Sequence, residues 1–331
     1  MVRFDFSGAV SLLKDAKTVA LCGHRNPDGD CLGSVLALAQ ALQSLGIEAV
    51  PLLATREKPQ LYDFLPGFEQ LTPAADYSGE PDVFVMLDVP EDARMDDAAA
   101  VRARSRATVK IDHHAGPADI ADYSYIDTDA AAAGVLVWEL LPQLGAERTA
   151  GIARCCYAAL LTDTGSFRFQ NADQRAFEAA AQMVVAGAEP SLVATMVYQR
   201  KSLAALQLES RVAQRARFAC GGRMVISWMD EADLAELGAT KDDCEELTDV
   251  VRQIAGPEVS VILRGQGDHI RGSIRSKTTH DVQAIAKKMN GGGHKAASGF
   301  TLYGDIQEAI NTVIGHVAAS FEGGAEEAVA R

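Results

Sequence analysis

Carboxylates and imidazoles recur in this sequence at the ends of apolar segments. The candidate groups are His24, Asp28, Asp30, Asp88, Asp112, His113, His114 and Asp163. Taken singly, each has an ordinary explanation, because an aspartate after a strand often caps a helix or forms a turn, and a lone histidine is usually a packed residue. Four separate segments that all end in acid or imidazole make coincidence improbable. Mn²⁺ and Mg²⁺ favour carboxylate oxygens, and imidazole suits Mn²⁺ better, so the pattern predicts a cation site.

The segments that carry these groups alternate between strand-like and helix-like patterns. Val19–Cys22 reads as a strand, Pro27 and Gly29 allow a sharp turn after it, and the apolar-periodic stretch Cys31–Leu45 reads as a helix that stops at Gly46. Further strands are predicted at 47–53, 82–88 and from 107 up to the acid and imidazoles at 112–114, and a helical stretch is predicted at 152–163. This alternation predicts the α/β class, with a parallel sheet flanked by helices, in which ligands bind at the carboxyl ends of the strands.

The remainder of the chain suggests a second, smaller domain. We expect one domain at 1–190, a helical connector at 191–217, a mixed α+β domain at 218–322 and a frayed tail at 323–331. Within the first domain we expect a short helix at 1–16, short helical pieces at 56–79 and a surface helix at 91–106. The second domain should contain strands at 224–229, 259–264 and 270–275, an acidic helical segment at 230–254, and a helix at 282–289 capped by Asp281.

Composition restricts the class of partner. The chain has 331 residues, with 45 acidic and 31 basic side chains and a formal net charge of −14, which argues against a broad surface that coats duplex DNA. The six cysteines form no CxxC pair and read as reduced, mostly buried thiols. No stretch approaches the roughly 20 apolar residues that span a bilayer, and the N-terminus does not read as a signal peptide. We expect a cytoplasmic protein with no membrane partner, and a homodimer stays open.

Six blocks of this sequence together resemble a known family. In order and spacing, four of them resemble the motifs of the DHH phosphoesterase superfamily: His24-Arg-Asn-Pro-Asp-Gly-Asp30, Asp88 at a strand end, Asp112-His-His114 and Leu161-Thr-Asp-Thr-Gly-Ser166. Arg271-Gly-Ser-Ile-Arg-Ser276 and Gly291-Gly-Gly-His294 resemble the DHH-associated C-terminal domain. The length favours the branch of nanoRNases and pAp-phosphatases, which is related to RecJ-like exonucleases.

The resemblance implies a site for two cations, Mn²⁺ by preference, with Mg²⁺ or Co²⁺ as substitutes. His24, Asp28 and Asp88 would hold one ion. The second ion would be held by Asp30, His113 and Asp163, together with a bridging Asp88. His114 would face the substrate phosphate, and Asp112 would orient His113 or His114 by hydrogen bonding, unless it is a simple turn residue.

The resemblance also implies where a nucleotide would bind in the second domain. Arg271, Arg275, Ser276, His294 and the Gly291, Gly292 and Gly293 run would hold the part of the nucleotide remote from the cations. The alternative is that the glycines only end the preceding helix and the arginines only keep the surface soluble. In the first domain, Arg168 is a further phosphate-binding candidate, and Phe167 or Phe169 could stack on a base or pack in the core.

These observations predict a metal-dependent phosphoesterase. Its expected substrates are short single-stranded oligoribonucleotides, cut to mononucleotides, and adenosine 3′,5′-bisphosphate, converted to AMP, with water activated by two cations. Ser166 has no obvious base partner in the sequence, which makes a serine hydrolase unattractive. The alternatives are a phosphodiesterase of cyclic dinucleotides or their linear products, an inorganic pyrophosphatase, and a nucleotide-binding module that does not hydrolyse its ligand.

Overall fold

The chain folds into two compact units, Met1–Arg200 and Lys201–Arg331. The structure is a computed structural model, and it describes residues 6–116, 120–244 and 246–329. The boundary at residues 200 and 201 falls inside the stretch 191–217, for which the sequence predicts a separate connector. Helices of that stretch therefore belong to one unit or the other.

The first unit is built on a six-stranded parallel sheet. Its strands are β1 (Thr18–Cys22), β2 (Glu48–Leu53), β3 (Thr72–Pro73), β4 (Val83–Leu87), β5 (Ala107–Asp112) and β6 (Tyr123–Ile126). They lie in the order β3-β2-β1-β4-β5-β6, and every neighbouring pair is parallel. Because the chain leaves β1 toward β2 on one side and later returns to β4 on the other, the strand order reverses between β1 and β4. In open α/β sheets this switch point opens a crevice at the carboxyl ends of the strands.

Seven α-helices complete the described part of the first unit. They are α1 (Ser7–Asp15), α2 (Gly29–Ser44), α3 (Ala98–Ala103), α4 (Ala133–Leu144), α5 (Ala150–Asp163), α6 (Gln174–Val185) and α7 (Pro190–Tyr198). Alternating strand residues face opposite sides, so that Val19 and Leu21 join one apolar core while Ala20 and Cys22 join the other. The parallel sheet flanked by helices confirms the predicted fold class.

Close packing of α2 against α5 brings their ends to the same edge of the sheet. A Cβ atom on Gly33 would lie 2.4 Å from the carbonyl oxygen of Cys155, so only glycine allows the two backbones to approach this closely. Gly134 of α4 is in similar contact, because a Cβ there would lie 2.4 Å from Cβ of Ala159. These glycines set the spacing of the helices whose ends carry Asp30 and Asp163.

The second unit contains a mixed sheet with helices on both faces. Its strands are β7 (Arg217–Ala219), β8 (Met224–Met229), β9 (Val259–Gln266), β10 (His269–Ser276), β11 (Gly292–Gly293) and β12 (Ala297–Tyr303), in the order β11-β12-β10-β9-β8-β7. Its helices are α8 (Leu203–Gln214), α9 (Glu231–Leu237), α10 (Leu247–Arg252), α11 (Val282–Lys287) and α12 (Ile306–Val329). Only β8 and β9 pair in parallel. The mixed α+β class predicted for this region is confirmed.

Several local predictions differ from the structure. The surface helix predicted at 91–106 is α-helical only at Ala98–Ala103, and the acidic helical segment predicted at 230–254 divides into α9 and α10. Helix α12 continues to Val329, past the point where the Gly- and Glu-rich composition predicts fraying. Asp281 caps α11 as predicted, since its Oδ1 accepts a hydrogen bond of 3.1 Å from the Ala284 N–H.

A helix that spans a membrane must be both long and apolar. In the described ranges no single helix meets both requirements. Helices α6 and α7 meet them only when joined, and their axes are bent by 110° at the break between them.

Candidate metal centre

The crevice between β1 and β4 collects side chains from both strand ends. His24 follows β1, and Asp88 follows β4 directly. Asp88 has a positive φ of 58°, an uncommon backbone for a residue with a side chain, while its N–H donates to the Ile111 carbonyl at 3.1 Å. Strained backbone of this kind persists where the surroundings hold it in place, and it is frequent at functional sites.

One group of candidate ligands consists of His24, Asp28 and Asp88. His24 Nε2 lies 3.3 Å from Asp88 Oδ2 and 3.8 Å from Asp28 Oδ2. Asp28 is also the N-cap of α2, because its Oδ1 accepts a 3.0 Å hydrogen bond from the Cys31 N–H. One carboxylate oxygen of Asp28 therefore anchors the helix while the other is directed toward His24. This is the set predicted for the first cation.

A second group consists of Asp30, His113 and Asp163, with Asp88 beside it. His113 Nε2 lies 3.5 Å from Asp30 Oδ2, 3.5 Å from Asp88 Oδ1 and 3.8 Å from Asp163 Oδ2. Because Asp88 directs one oxygen toward His24 and the other toward His113, it stands between the two groups. The structure thus brings together all six residues predicted as metal ligands.

Asp30 is held in place by the N-terminus of α4. Its Oδ2 accepts a 2.7 Å hydrogen bond from the Ala133 N–H, and its Oδ1 accepts one of 2.8 Å from the Gly134 N–H. Ser34 Oγ donates a third hydrogen bond to Oδ1, at 3.1 Å. The residue that caps α4, Ala132, has no side chain able to do so. Asp30 therefore satisfies the first amide groups of a helix remote in sequence.

Asp112 contacts His114, and its carboxylate also lies within 4.8 Å of an Asp88 oxygen. Its Oδ1 accepts hydrogen bonds from the His114 backbone N–H at 3.0 Å and lies 2.9 Å from His114 Nδ1. His114 Nδ1 is also 3.1 Å from Asp88 Oδ1. Of the two roles open for Asp112, orientation of His113 or of His114, the geometry favours the second.

The electrostatics of this cluster suit cations. Burial, followed by the charge of Asp88, raises the pKa of Asp30 well above its ordinary value. Burial and the Asp28 and Asp88 charges likewise raise the pKa of Asp163 to about 6, although His113 opposes this shift. Asp163 is also the last residue of α5, where the helix dipole disfavours an anion. Carboxylates crowded into a buried site with two imidazoles form the donor set of a hard or borderline divalent ion.

The imidazoles show the complementary effect. Burial alone would lower the pKa of His113, yet the charges of Asp163, Asp30 and Asp88 raise it well above its ordinary value. For His114, hydrogen bonds to Asp112 and Asp88 overcome the effect of burial and raise the pKa to about 10. Burial would raise the pKa of Asp88, but the three neighbouring imidazoles hold it well below its usual range. In the absence of cations, protons supply the positive charge that this cluster requires.

Comparisons with known proteins identify the family to which this chain is similar. The model of the DHH family, N-terminal domain, matches residues 18–161, and the DHHA1 domain model matches residues 221–319. A relative from Thermus thermophilus named bifunctional oligoribonuclease and PAP phosphatase NrnA is 31% identical over 297 residues, which cover 89% of this chain and 88% of the relative. The chain belongs to the DHH family.

Two further comparisons extend the likeness over nearly the whole chain. A protein of the same name from Bacillus subtilis is 27% identical over 290 residues, covering 86% of this chain and 90% of the relative. The crystal structure of an exopolyphosphatase-related protein from Bacteroides fragilis superposes with a TM-score of 0.87 at 23% identity and covers 94% of each chain. At this identity the superposition establishes the shared fold of the two proteins.

Within the DHH domain, the loop after α5 carries Arg168 and two phenylalanines. Arg168 is exposed, and its Nε donates a 2.6 Å hydrogen bond to the Gly165 carbonyl oxygen. Phe167 is partly buried against the apolar core of the domain, which favours packing over base stacking for this residue, and it also stacks on the exposed Phe177 with 5.1 Å between ring centroids. Phe169 lies against Gly165, because a Cβ on that glycine would be 2.2 Å from the Phe169 ring.

Within the DHHA1 domain, strand β10 places its predicted nucleotide-binding residues on two opposite faces. Arg271 and Arg275 share one face of the strand, whereas Ser276 lies on the opposite, buried face with 1% of its surface exposed. Ser276 Oγ accepts a 3.2 Å hydrogen bond from the Thr278 N–H, so that it stabilises the turn after the strand. Arg275 Nη1 donates to the Ser298 carbonyl oxygen at 3.2 Å.

The glycine run lies in a hairpin of the DHHA1 domain. Gly292 and Gly293 form β11, which pairs with β12, and the exposed His294 occupies the turn between them. A Cβ on Gly291 would lie 2.1 Å from the Gly299 carbonyl oxygen, so close backbone packing requires glycine at this position. The run therefore does more than end the preceding helix.

Two charged residues beside the metal centre were not anticipated from the sequence. Arg94 places Nη2 3.0 Å from His24 Nδ1, and Lys110 is fully buried in β5 with Nζ 3.2 Å from Asp112 Oδ2. For Lys110 a signal exists in the sequence, because a lysine inside an otherwise apolar strand, two residues before an aspartate, shares a face with that aspartate. No sequence pattern indicates Arg94.

Proposed function

We propose that this protein hydrolyses short oligoribonucleotides to mononucleotides and removes the 3′ phosphate of adenosine 3′,5′-bisphosphate to give AMP. The names of its relatives, oligoribonuclease and PAP phosphatase, support both activities, since the likeness to them spans 86% or more of this chain. The observation that carries the proposal is the cluster in which the buried Asp88 stands between two sets of carboxylate and imidazole ligands.

The ligand sets fit two divalent cations. In each set, the candidate ligand atoms of His24, Asp28 and Asp88 or of Asp30, His113 and Asp163 lie within 4.8 Å of one another. Mn²⁺ is our first choice because it accepts both oxygen and imidazole ligands, and Mg²⁺ or Co²⁺ could substitute. When bound, such a pair of ions lowers the pKa of an attacking water and neutralises charge on the phosphoryl group.

The side chains around the ions have distinct tasks. Asp88 directs its two oxygens to the two sets and so fixes their separation. Asp30, held by the amide groups of α4, and Asp28, held as the cap of α2, keep their carboxylates in fixed positions before substrate binds. His114 directs Nδ1 toward Asp112, at 2.9 Å, which leaves Nε2 to contact a phosphoryl oxygen.

The DHHA1 domain supplies the recognition of the nucleotide in this proposal. Arg271 and Arg275 present guanidinium groups on one strand face, and a guanidinium can bind a phosphate through two parallel hydrogen bonds. His294 and the backbone amides of the glycine hairpin add donors. Ser276 contributes to the turn that follows β10 and acts on the nucleotide only through that turn.

The six cysteines bear on the compartment in which the protein works. None of the six forms a disulfide in the described part of the chain, and five of them are buried. Thiols persist in reducing compartments, so we assign the activity to the cytoplasm.

The test is a substrate panel with purified protein and Mn²⁺. Two- to ten-nucleotide RNAs, adenosine 3′,5′-bisphosphate, cyclic di-AMP and pyrophosphate are offered separately, and products are separated by chromatography. The proposal predicts mononucleotides from the RNAs and AMP from the bisphosphate. Turnover confined to the cyclic dinucleotide or to pyrophosphate would contradict it, and binding without hydrolysis of any compound would indicate a nucleotide sensor.

A further inference from the structure

Lys110 occupies a position in the DHH domain where an apolar residue is expected. It lies in the middle of β5, pairs in register with Met86 of β4, and has 0% of its side chain exposed. The neighbouring face residues of β4, Phe84 and Met86, belong to the apolar cluster on that side of the sheet. A lysine is almost never fully buried unless its charge is paired, so we expect an acidic side chain close to Lys110.

One charged partner of Lys110 is Asp112, which points to the same side of the strand two residues later. Lys110 Nζ lies 3.2 Å from Asp112 Oδ2, and neither side chain reaches solvent. The other oxygen of Asp112, Oδ1, holds the backbone N–H and the Nδ1 of His114, at 3.0 and 2.9 Å. A chain of contacts therefore runs from a buried ammonium through a carboxylate to an imidazole at the metal centre.

The two oxygens of the Asp112 carboxylate therefore contact different partners, Lys110 and His114. One oxygen forms an ion pair with the lysine, so rotation of the carboxylate away from His114 would break that pair. Without the lysine, the buried Asp112 carboxylate would stand near Asp88 without this ammonium group, which is unfavourable in a protein interior. The carboxylate would then be free to turn away from His114.

We propose that Lys110 is a positioning residue, which fixes the orientation of the Asp112 carboxylate so that Asp112 in turn holds the His114 ring with Nε2 directed to the substrate. The inference rests on the proposed hydrolase activity for its kinetic consequence, but its structural consequence, the orientation of the His114 ring, does not. Partners of this kind behind a metal-site histidine commonly change affinity or activity by about 10–100-fold when they are removed.

The alternative is that Lys110 only fills space and stabilises the strand. Val109 provides the matched control, because it is the neighbouring residue on the same strand, is equally buried, and faces the other core. Truncation of Val109 destabilises the DHH domain without touching Asp112. A purely structural lysine would behave in the same way as this control.

The experiment compares wild type, Lys110→Met and Val109→Ala in the full chain loaded with Mg²⁺. The ¹⁵N spectrum of the histidine rings at one fixed pH reports changes in the hydrogen bonding of the His114 ring nitrogens, and kcat and KM are measured on a dinucleotide with Mn²⁺. For Lys110→Met we expect an altered His114 spectrum and a kcat about 10–100-fold lower at a nearly unchanged KM. Val109→Ala should lower the melting temperature while its His114 spectrum and kcat match wild type.

A folded Lys110→Met protein with the wild-type His114 spectrum and kcat would overturn the inference. If this variant does not fold, Lys110→Gln replaces it with the same expected and contradicting results, since glutamine keeps a hydrogen-bond donor and lacks the charge. Failure of wild type to hydrolyse any nucleotide would refute the proposed function alone. The His114 spectrum of the variant would still decide the role of Lys110.

Discussion

The candidate metal centre of the DHH domain and the arginine face of β10 in the DHHA1 domain differ in how far their charged side chains are exposed. His24, Asp30, Asp88 and His113 are each 5% exposed or less and sit at the ends of strands or helices. Arg271 is exposed and Arg275 is partly exposed, and both project from the side of a strand. The first region fixes charges before any substrate arrives, whereas the second presents charges that a ligand can reach.

This difference has a physical reason. Buried charges must be balanced by one another or by a cation, so a single wrong residue leaves an uncompensated charge. Arginines on an open strand face are hydrated and carry little desolvation penalty. We therefore expect substitutions at the sheet edge to affect the chemical step and metal binding, and substitutions on β10 to affect substrate binding.

The largest effect should come from Asp88→Asn. This change removes the carboxylate that stands between the two ligand sets, and loss of several kcal/mol of transition-state stabilisation corresponds to a fall in kcat of about 10³-fold or more. Dinucleotide hydrolysis with Mn²⁺ measures the effect, and circular dichroism checks folding. Asp76→Asn, at a surface ion pair with Arg56, is the control and should retain full activity. An Asp88→Asn enzyme with near wild-type kcat would remove the basis of the comparison.

Mn²⁺ affinity should increase with pH. The raised pKa values of His113 and Asp163, the latter about 6, mean that the metal-free cluster holds protons that metal binding must displace. Displacement of the His113 proton should raise affinity by about tenfold per pH unit between roughly pH 6 and 8, and the Asp163 proton adds to this slope only below about pH 6. Isothermal titration calorimetry in buffers of different ionisation enthalpy counts the protons. Affinity that does not change with pH, or proton uptake on binding, would show that the cluster is not the binding site.

On the arginine face, Arg275→Met should raise KM by about tenfold and leave kcat nearly unchanged. The guanidinium is proposed to contact a part of the nucleotide that does not react, so its loss weakens ground state and transition state equally. Steady-state kinetics on a dinucleotide separates the two constants. If kcat fell as strongly as in Asp88→Asn, the proposed separation of the two regions would be wrong.

The smallest effect on kinetics should come from Ser276→Ala. Because Ser276 is buried and holds the Thr278 N–H, its loss should lower the free energy of unfolding by about 1 kcal/mol and leave KM unchanged. Ser273→Ala, on the same face as the arginines, is the matched variant and should change stability little. Urea unfolding and KM measured for both variants check this. A raised KM without loss of stability in Ser276→Ala would place Ser276 in the binding surface.

The sequence could predict that these carboxylates and imidazoles lie together because they coincide with the ends of strongly apolar segments. Strands β1 and β4 end within one residue of the predicted bounds, and Asp88 follows β4 as expected. Helix α2 begins two residues earlier than predicted, since Asp28 already caps it. The sequence around Asp30 does not indicate that its carboxylate accepts hydrogen bonds from the amides of α4. That contact joins residues more than 100 positions apart.

The sequence patterns of β6 and β12 predict strands less strongly than those of β1 and β4 do. Strand β6, Tyr-Ser-Tyr-Ile, is short and lies at the sheet edge without a buried face, and β12 contains small residues that lower its strand propensity. The two-residue alternation of a strand already separates Ser276 from Arg275 in the sequence. Lys110 shows the opposite case, where the same alternation would have pointed to Asp112.

Anomalous diffraction from crystals grown with Mn²⁺ tests the central claim most directly. We expect two strong peaks roughly 3.5–4 Å apart, one beside His24 and Asp28, the other beside Asp30, His113 and Asp163, with Asp88 in contact with both. One weakly held ion, or peaks remote from these side chains, would contradict the assignment of this cluster as a two-metal hydrolytic centre.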